Sequence, residues 1–330
     1  MDFEKIDKYS LGFFPTPITE LKRLSNYLGG PSLYIKRDDQ TGLATGGNKT
    51  RKLEYLLADA IKNGCDTVIT AGASQSNHCR QTAAAAASSG LKCHLVLGGS
   101  APKNITGNLL LDNLFNAKIH WTGSYRKGEK IPDIKKELIA NGLNPYVIPY
   151  GGSNALGALG FVNAAKELKE QTSSIADGCD FDYIVFASSS GGTQSGLTIG
   201  CKLFNIKSTI LGIGIDKGEA SDLPYKEYLA DLSNKIAELL SLKYCYNKDD
   251  FNVNQDYMGE GYGVINDLDR SGMKLLAEKE GILTDPVYSG RAMGGLIDLI
   301  RKNKFKSTDK VLFWHTGGGP ALFHYGNTIL

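Results

Sequence analysis

Lys49 is the first residue whose surroundings suggest chemistry. It follows two glycines, Gly46 and Gly47, and is predicted to begin a helix, with Arg51 and Lys52 close behind. Neighbouring positive charge and the positive end of a helix both disfavour a protonated amine and lower its pKa. A lysine in such a position can act as an amine nucleophile. Taken alone, the segment is more often a solvated basic first turn.

A run of polar side chains follows the predicted strand at residues 67–70. Ser76, Asn77 and His78 present a hydroxyl, an amide and an imidazole together at the predicted start of a helix. Because ligands collect beyond the carboxyl ends of parallel strands, this turn is a candidate site. The alternative is that Ser76 or Asn77 only caps the helix, which is a common role for both residue types.

Glycines and hydroxyls also follow the predicted strand at residues 183–186. The residues concerned are Ser190, Gly191, Gly192 and Thr193. Backbone N–H groups that converge at the N-terminus of a helix bind phosphate, and this segment is placed to supply them. It lacks the G-x-G-x-x-G pattern of a dinucleotide site. The alternative, a flexible Gly/Ser loop, is weakened by the strand and the helix that flank it.

Three glycines at residues 317–319 follow the last predicted strand. Glycine lets a flat or bulky group approach the backbone, so this segment predicts a bed for a ring. Two turns that contain Tyr262 and Tyr288 are further candidates, although a packed ring in an ordinary turn explains either of them singly. Together, a reactive lysine, a phosphate loop and a glycine bed describe pyridoxal phosphate.

Short β-branched runs alternate with amphipathic helical runs along most of the chain. This alternation is typical of βαβ units around parallel sheets, so the predicted fold class is α/β. The predicted strands are residues 32–36, 67–70, 93–97, 118–121, 146–149, 183–186, 209–215 and 310–314. The predicted helices include residues 52–62, 155–170, 223–240, 268–280 and 291–302.

Composition argues against several classes of function. The 330 residues carry 37 basic and 35 acidic side chains, a formal net charge of +2, which offers no electrostatic footprint for nucleic acid or for an anionic membrane. No apolar run approaches the ~18 residues of a spanning helix. The first residues lack the apolar run of a secretory signal, so we expect a cytoplasmic protein. The six cysteines are scattered without a C-x-x-C pair, so we expect reduced thiols and no metal site.

These segments, in this order, resemble the family of D-cysteine desulfhydrases and 1-aminocyclopropane-1-carboxylate (ACC) deaminases, which are pyridoxal-phosphate enzymes. The likeness spans nearly the whole chain and is carried by residues 14–18 (FPTPI), 33–39 (LYIKRDD), 46–55 (GGNKTRKLEY), 75–78 (QSNH), 190–193 (SGGT), 284–288 (TDPVY) and 315–318 (HTGG). It implies a tryptophan-synthase-β-like fold (fold type II), with two open twisted sheets flanked by helices. It also implies a homodimer that takes a small amino-acid substrate.

The same resemblance implies a small domain inserted into a large one. The small domain is residues 52–157, and the large cofactor-binding domain is residues 1–51 and 158–330. The sequence by itself points to a similar block, because about four strand–helix units lie between two glycine pairs, at residues 46–47 and 151–152.

The resemblance further implies roles for the candidate residues. Lys49 carries the cofactor as a Schiff base, and the catalytic residues are Lys49, Ser76, Tyr262 and Tyr288. The other cofactor contacts are Asn77 near the 3-hydroxyl of the ring, Ser190, Gly191, Gly192 and Thr193 around the phosphate, and Thr316. The substrate meets Ser76, Asn77, His78, Tyr262, Tyr288 and Ser289.

Two positions distinguish the branches of this family. Where the deaminases have Glu after the DPVY tyrosine and Leu before the final glycine pair, this chain has Ser289 and Thr316. A hydroxyl beside the pyridine nitrogen makes a weaker electron sink than a carboxylate, which suffices when a good leaving group departs from the β-carbon. The branch implied therefore eliminates sulfide from D-cysteine to give pyruvate, ammonia and hydrogen sulfide.

Three alternatives remain open at this point. One is ACC deamination, which Ser289 and Thr316 argue against. Another is elimination from a different β-substituted amino acid, such as cysteate. The third is a non-catalytic binder of a phosphorylated metabolite, which would use the segment 190–193 but leave Lys49 and Ser76 without a role.

Overall fold

The computed structural model describes residues 5–173, 175, 178, 180–216 and 222–330 of the chain. In these ranges the strands are β1 (Ile18–Glu20), β2 (Ser32–Arg37), β3 (Thr67–Ala73), β4 (Lys92–Gly98), β5 (Lys118–Trp121), β6 (Pro145–Val147), β7 (Tyr183–Ser188), β8 (Thr209–Gly214), β9 (Asn252–Asn254) and β10 (Lys310–His315). The helices are α1 (Lys22–Leu28), α2 (Lys49–Lys62), α3 (Asn77–Ser89), α4 (Gly107–Leu114), α5 (Ile131–Ala140), α6 (Ala155–Thr172), α7 (Gly192–Leu203), α8 (Tyr225–Leu239), α9 (Asp267–Glu280), α10 (Ser289–Arg301), α11 (Gly319–Leu322) and α12 (Gly326–Ile329). Strands and helices alternate along the chain, so the predicted α/β class is confirmed.

The strands form two sheets. The larger has the order β1-β2-β10-β7-β8-β9 and is parallel except for the antiparallel pair β1–β2. The smaller has the order β5-β4-β3-β6 and is parallel throughout. The strands of the small sheet all lie between residues 67 and 147, while the large sheet takes strands from both sides of that block. This topology favours an inserted small domain, and the boundaries at residues 52 and 157 stay a prediction.

Helix α2 forms because its apolar residues recur at helical spacing. Leu53, Leu56, Leu57 and Ala60 lie on one face and are fully buried. They pack with strands of the small sheet in one apolar cluster. Burial of this face fixes the direction of the helix axis and therefore the place of its first residue, Lys49.

Helix α3 is rich in alanine and lies almost entirely inside the molecule. Its residues 78–86 are all buried. Ser76 caps its start, since Ser76 Oγ accepts a hydrogen bond from the backbone N–H of Cys79 at 3.2 Å. Gly90, with a left-handed φ of 74°, ends it. The alanine run at residues 83–87 carries little amphipathic signal, so the sequence pattern indicates the start of this helix better than its length.

The large sheet has an apolar layer on each face. On one face Val185 and Phe313 pack with residues of α9 and α10. On the other face Ile184 and Trp314 pack with residues of α6 and α7. Side chains of successive strand residues point to opposite faces, so both layers come from the same strands. The sheet is thereby held rigidly, with the turns that follow β7 and β10 left to form a site.

The cysteines that the structure describes are all unpaired. Cys65, Cys79, Cys93, Cys201 and Cys245 are free thiols, and Cys179 lies outside the described residues. Within the described ranges, no helix has the length and apolar character needed to cross a membrane. In the same ranges, no three His, Cys, Asp or Glu side chains are grouped as ligands for a metal ion.

Candidate active site

The turns after β3, β7 and β10 meet at one cleft of about 620 Å³, part of which is open to solvent. Of the predicted site residues, the cleft is lined by Lys49, Ser76, Asn77, His78, Ser190, Gly191, Thr193, Tyr288 and Thr316. Gly192, Tyr262 and Ser289 are not part of this lining. Segments that are far apart in the sequence are thus brought to one place.

Lys49 is the first residue of α2 and reaches into the cleft. Its Nζ lies 3.1 Å from the carbonyl oxygen of Gly151 and 3.5 Å from Ser190 Oγ. Burial lowers the pKa of Lys49 to about 8, because removal from water disfavours the charged amine. The amine is therefore more nucleophilic near neutral pH than that of an exposed lysine.

The predicted direction of this pKa shift is confirmed, but the predicted contribution of neighbouring positive charge is wrong, because Arg51 is compensated and the contact with Lys52 raises the pKa of Lys49. The guanidinium of Arg51 pairs with Asp38 and with Glu167, at 2.8 Å from a carboxylate oxygen of each. These two carboxylates compensate its charge. Desolvation of Lys49, rather than a neighbouring arginine, is the main cause of its low pKa.

Lys52 is a second buried amine beside the cleft. Its Nζ lies 3.1 Å from the same carbonyl oxygen of Gly151 and 2.9 Å from Ser153 Oγ. Burial, followed by the charge of Lys49, holds the pKa of Lys52 well below its ordinary value. Within the described ranges, neither amine has a hydrogen-bonded carboxylate. Lys52 was predicted only as a neighbouring charge, although its spacing of three residues from Lys49 places both on one face of the helix.

The segment 190–193 forms the turn that leads into α7. Ser190 Oγ lies 2.8 Å from Ser153 Oγ, and Asn48 Nδ2 donates to Thr193 Oγ1 at 3.2 Å. The start of α7 adds the positive end of a helix and its first-turn N–H groups. Hydroxyl and N–H donors therefore surround one small space.

Glycines keep that space open. Gly191 has a left-handed φ of 82°, which favours glycine. A Cβ added to Gly192 would lie 2.8 Å from Ser153 Oγ and 2.9 Å from Lys52 Nζ. A phosphate group suits this space, because its oxygens would accept hydrogen bonds from the hydroxyls and from Lys52 Nζ.

The last glycine segment directly follows Thr316, which lines the cleft, and lies next to Asn77. Gly317 and Gly318 have left-handed φ values of 89° and 105°. A Cβ on Gly318 would lie 2.8 Å from Asn77 Nδ2. Asn108 Nδ2 donates to Asn77 Oδ1 at 2.7 Å and so fixes the orientation of that amide. Backbone without side chains and an oriented amide donor together suit a flat ring that carries an oxygen.

Ser76 and His78 line the same wall of the cleft. Ser76 Oγ serves as the cap of α3, and its catalytic role stays a prediction. His78 Nε2 lies 2.8 Å from Thr70 Oγ1, and Thr70 donates to the carbonyl oxygen of Ile148 at 2.9 Å. Thr70 must then accept from His78, so Nε2 carries the proton. Burial holds the pKa of His78 well below its usual range, and the ring is neutral.

Two tyrosines meet beside the cleft. The hydroxyls of Tyr262 and Tyr288 are 2.8 Å apart, and Tyr288 lines the cleft while Tyr262 lies behind it. Burial raises the pKa of both phenols well above the usual value, so they remain protonated. Tyr150 also lines the cleft. Sequence reasoning missed Tyr150, since its only sequence signal is the glycine pair that follows it.

Ser289 is buried and stands behind Thr316. Its Oγ donates to the carbonyl oxygen of Gly317 at 2.9 Å and lies 3.2 Å from Thr316 Oγ1. Thr316 therefore presents a hydroxyl to the cleft, and Ser289 orients it. A direct contact between Ser289 and a substrate stays a prediction.

In the cofactor-free protein, we expect the modification of Lys49 by a small aldehyde and cyanoborohydride to follow a titration with a midpoint near pH 8. The reason is that only the neutral amine reacts, and burial lowers the pKa of Lys49 to about 8. The rate is read from peptide masses across a pH series. The same protein in urea is the control, and there Lys49 should titrate near its ordinary pKa of 10.5. A midpoint near 10.5 in the folded protein would contradict the geometry described for Lys49.

The donor set of the cleft fits pyridoxal phosphate. The amine of Lys49 suits the aldehyde of this cofactor. The hydroxyls, the helix N-terminus and Lys52 suit its phosphate, and the glycines 317–318 with Asn77 suit its ring. In the described part of the chain, no carboxylate lines the cleft that would repel a phosphate.

Comparison with known proteins gives the same cofactor. A family model described as pyridoxal-phosphate dependent enzyme matches residues 9–317. The chain is 44% identical over 317 residues to a D-cysteine desulfhydrase of Klebsiella pneumoniae (strain 342), with 94% of each chain covered. Among solved structures it is similar to an ACC deaminase homologue, with a TM-score of 0.88 and 38% identity over 99% of this chain and 96% of that one.

A more distant structure shows how widely this fold is shared. A pyridoxal 5'-phosphate-dependent aspartate racemase covers 92% of this chain and 90% of its own, with a TM-score of 0.64 at 17% identity, which bears on the fold alone. With the two sheets and their flanking helices, these likenesses confirm the predicted fold type II. The chain belongs to the family of pyridoxal-phosphate-dependent enzymes.

Proposed function

We propose that this enzyme eliminates sulfide from D-cysteine. In this reaction D-cysteine and water give pyruvate, ammonia and hydrogen sulfide. The observation that carries the proposal is the pair Thr316 and Ser289, which puts neutral hydroxyls beside the glycine bed. The relative that is a D-cysteine desulfhydrase, at 44% identity, supports the same assignment.

Residues on three sides of the cleft would hold the cofactor. Lys49 would attach it covalently, and Lys52 with the segment 190–193 would bind its phosphate. Asn77 and the glycines 317–318 would flank its ring. When bound, pyridoxal phosphate withdraws electrons from the carbon that bears the substrate amine and so makes its proton acidic.

Two groups of the chain can accept the proton from that carbon. One is Lys49 Nζ, whose pKa of about 8 suits a base near neutral pH. The other is Ser76 Oγ, which lines the cleft. Tyr288 remains protonated, because burial raises its pKa, and can donate its proton to the departing sulfur. Tyr262 orients the hydroxyl of Tyr288 through a hydrogen bond of 2.8 Å between the two phenol oxygens.

Thr316 and Ser289 favour thiol elimination over opening of a cyclopropane. A neutral hydroxyl does not stabilise a protonated pyridine nitrogen as a carboxylate would, so the electron demand of the ring stays modest. A modest demand is enough to expel sulfide from the β-carbon. It is poorly suited to breaking an unactivated carbon–carbon bond. The arrangement therefore fits D-cysteine better than ACC.

A substrate panel tests the proposal. Purified enzyme is given D-cysteine, L-cysteine, cysteate or ACC, and keto acid and sulfide are measured. We expect equal amounts of pyruvate and sulfide from D-cysteine, and little or no 2-oxobutanoate from ACC. Faster turnover of ACC or cysteate than of D-cysteine would overturn the proposal, as would no keto acid from any of the four.

We also propose that the enzyme works as a cytoplasmic homodimer. A second, apolar cleft lies between α9 and the C-terminal helices, and it includes Leu283 and Phe323, which are 60% and 78% exposed. Contiguous exposed apolar surface often marks a protein interface, and a second copy of the chain could cover it. Unpaired cysteines among the described residues are typical of a reducing compartment.

A further inference from the structure

The loop that leads into Lys49 has an unusual backbone. Between Gly42 and Gly47, positive φ angles occur at Gly42 (90°), Ala44 (47°), Thr45 (68°), Gly46 (75°) and Gly47 (137°). Ala44 and Thr45 are not glycines, and the left-handed region is costly for residues that carry a Cβ. A loop of this shape persists only when its surroundings hold it.

Arg80 of α3 makes three of the hydrogen bonds that hold this loop. Its Nη1 donates to the carbonyl oxygen of Ala44 at 3.0 Å and to Thr45 Oγ1 at 2.7 Å. Its Nη2 donates to the carbonyl oxygen of Gly46 at 2.9 Å. The planar guanidinium offers its donors in a fixed geometry, so it can fix three consecutive residues at once.

Gln81 connects the same helix to the start of α2. Its Oε1 accepts from the backbone N–H of Thr50 at 2.9 Å and from Thr50 Oγ1 at 3.0 Å. Thr50 directly follows Lys49, and α3 begins at the cleft with Ser76 as its cap. Arg80 and Gln81 therefore join the helix that begins at Ser76 to the segment that carries Lys49.

The surroundings of Arg80 are costly for a charge. The side chain is fully buried, and burial lowers its pKa to about 10, so it stays charged at neutral pH. Its hydrogen bonds within the described ranges go to neutral oxygens of the loop. Asp112 and Asp285 both raise the pKa of Arg80, but neither carboxyl accepts a hydrogen bond from it, and burial raises the pKa of Asp112 itself to about 8. A well-packed apolar side chain is often at least as stable in such a place, so stability alone does not account for an arginine here.

We propose that Arg80 is a positioning residue for Lys49, which it aligns through the left-handed loop Ala44 to Gly46. This inference rests on the proposed role of Lys49 in holding the cofactor. Arg80 lines no part of the cleft. It acts by keeping the amine of Lys49 in register with Ser76 on the neighbouring helix.

The test compares Arg80→Met with the core variant Phe305→Ala. Phe305 lies in the apolar layer of the large sheet, outside the cleft lining, and its variant calibrates a loss of stability without a change in the loop. The readouts are the rate at which the cofactor-free enzyme takes up pyridoxal phosphate covalently, trapped by borohydride, and the melting temperature. For Arg80→Met we expect the uptake rate to fall about 10²-fold, the size of effect that a misplacement of about 1 Å can cause. We expect Phe305→Ala to melt at or below the melting temperature of Arg80→Met. Its uptake rate should nevertheless stay near that of the wild type.

A second substitution separates positioning from general damage. Ala44→Gly removes the left-handed penalty at residue 44, so it should recover about tenfold of the uptake rate in the Arg80→Met background and change the wild type little. If Arg80→Met does not fold, Arg80→Lys takes its place, with a smaller expected loss. An uptake rate unchanged by the loss of Arg80, or no recovery with Ala44→Gly, would overturn the proposal.

The same readout distinguishes this inference from the proposed function. Covalent uptake of the cofactor requires no amino-acid substrate. If the wild type takes up cofactor on Lys49 but does not consume D-cysteine, the substrate assignment fails and the role of Arg80 is still decided by the uptake rates. If the wild type takes up no cofactor on Lys49, both fail together.

Discussion

Replacement of Lys49 by alanine is expected to abolish turnover and covalent retention of the cofactor. The buried amine of Lys49 is the nucleophile of the cleft, and alanine offers no atom that could replace it. The measurements are pyruvate release from D-cysteine and the visible absorbance that remains with the protein after gel filtration. Both should fall to background.

Lys52→Ala is the matched control for this variant. Lys52 is buried and Lys49 half-buried, and both contact the carbonyl oxygen of Gly151 at 3.1 Å. Lys52 is assigned to the phosphate, and a hydrogen bond to a charged group contributes about 1.5–3 kcal/mol, so its loss should weaken cofactor binding about 10- to 100-fold. The covalent link to Lys49 should still form at high cofactor concentration. The opposite pattern, with Lys49→Ala retaining the link, would contradict the assignment.

Ser76→Ala is expected to keep the cofactor spectrum and to lower turnover by about 10²–10⁴-fold, the usual contribution of a positioned acid–base group. Ser76 also caps α3, so the variant should lose about 1 kcal/mol of folding stability as well. The measurements are kcat and KM for D-cysteine together with a urea unfolding curve.

Asn266→Ala provides the control for the capping effect. Asn266 caps α9, where its side chain accepts a hydrogen bond from the backbone N–H of Asp269 at 2.9 Å, and it does not line the cleft. Its loss should cost a similar free energy of unfolding with turnover close to that of the wild type. If Ser76→Ala behaves like Asn266→Ala in both measurements, Ser76 is a cap and nothing more.

The fold class could be predicted from the sequence because it depends on local patterns of residues. Alternating strands and helices are visible in the sequence because each carries its own periodicity. The order of strands in the large sheet could not be predicted in this way. It places β10 between β2 and β7, which depends on the packing of segments that are distant in sequence. The resemblance to a known family, rather than the pattern, supplied the two-sheet architecture.

Some residues of the candidate site could likewise be predicted from local patterns, and others could not. Lys49 and the segment 190–193 are predictable because glycines and hydroxyls at a strand end are local signals. Lys52 and Ser153 were missed because their roles depend on a contact of 2.9 Å between residues about a hundred positions apart. The contribution assigned to Arg51 was wrong because its ion pairs with Asp38 and Glu167 form only in the folded chain, where Glu167 comes from 116 positions away.

The attachment point of the cofactor is the most direct test of this account. The native enzyme is reduced with borohydride and digested, and the peptide that carries the pyridoxyl group is identified by mass spectrometry. We expect modification at Lys49 alone, since its amine is the buried nucleophile at the start of α2. Modification at Lys52, or no modified peptide from an enzyme that retains the cofactor, would contradict it.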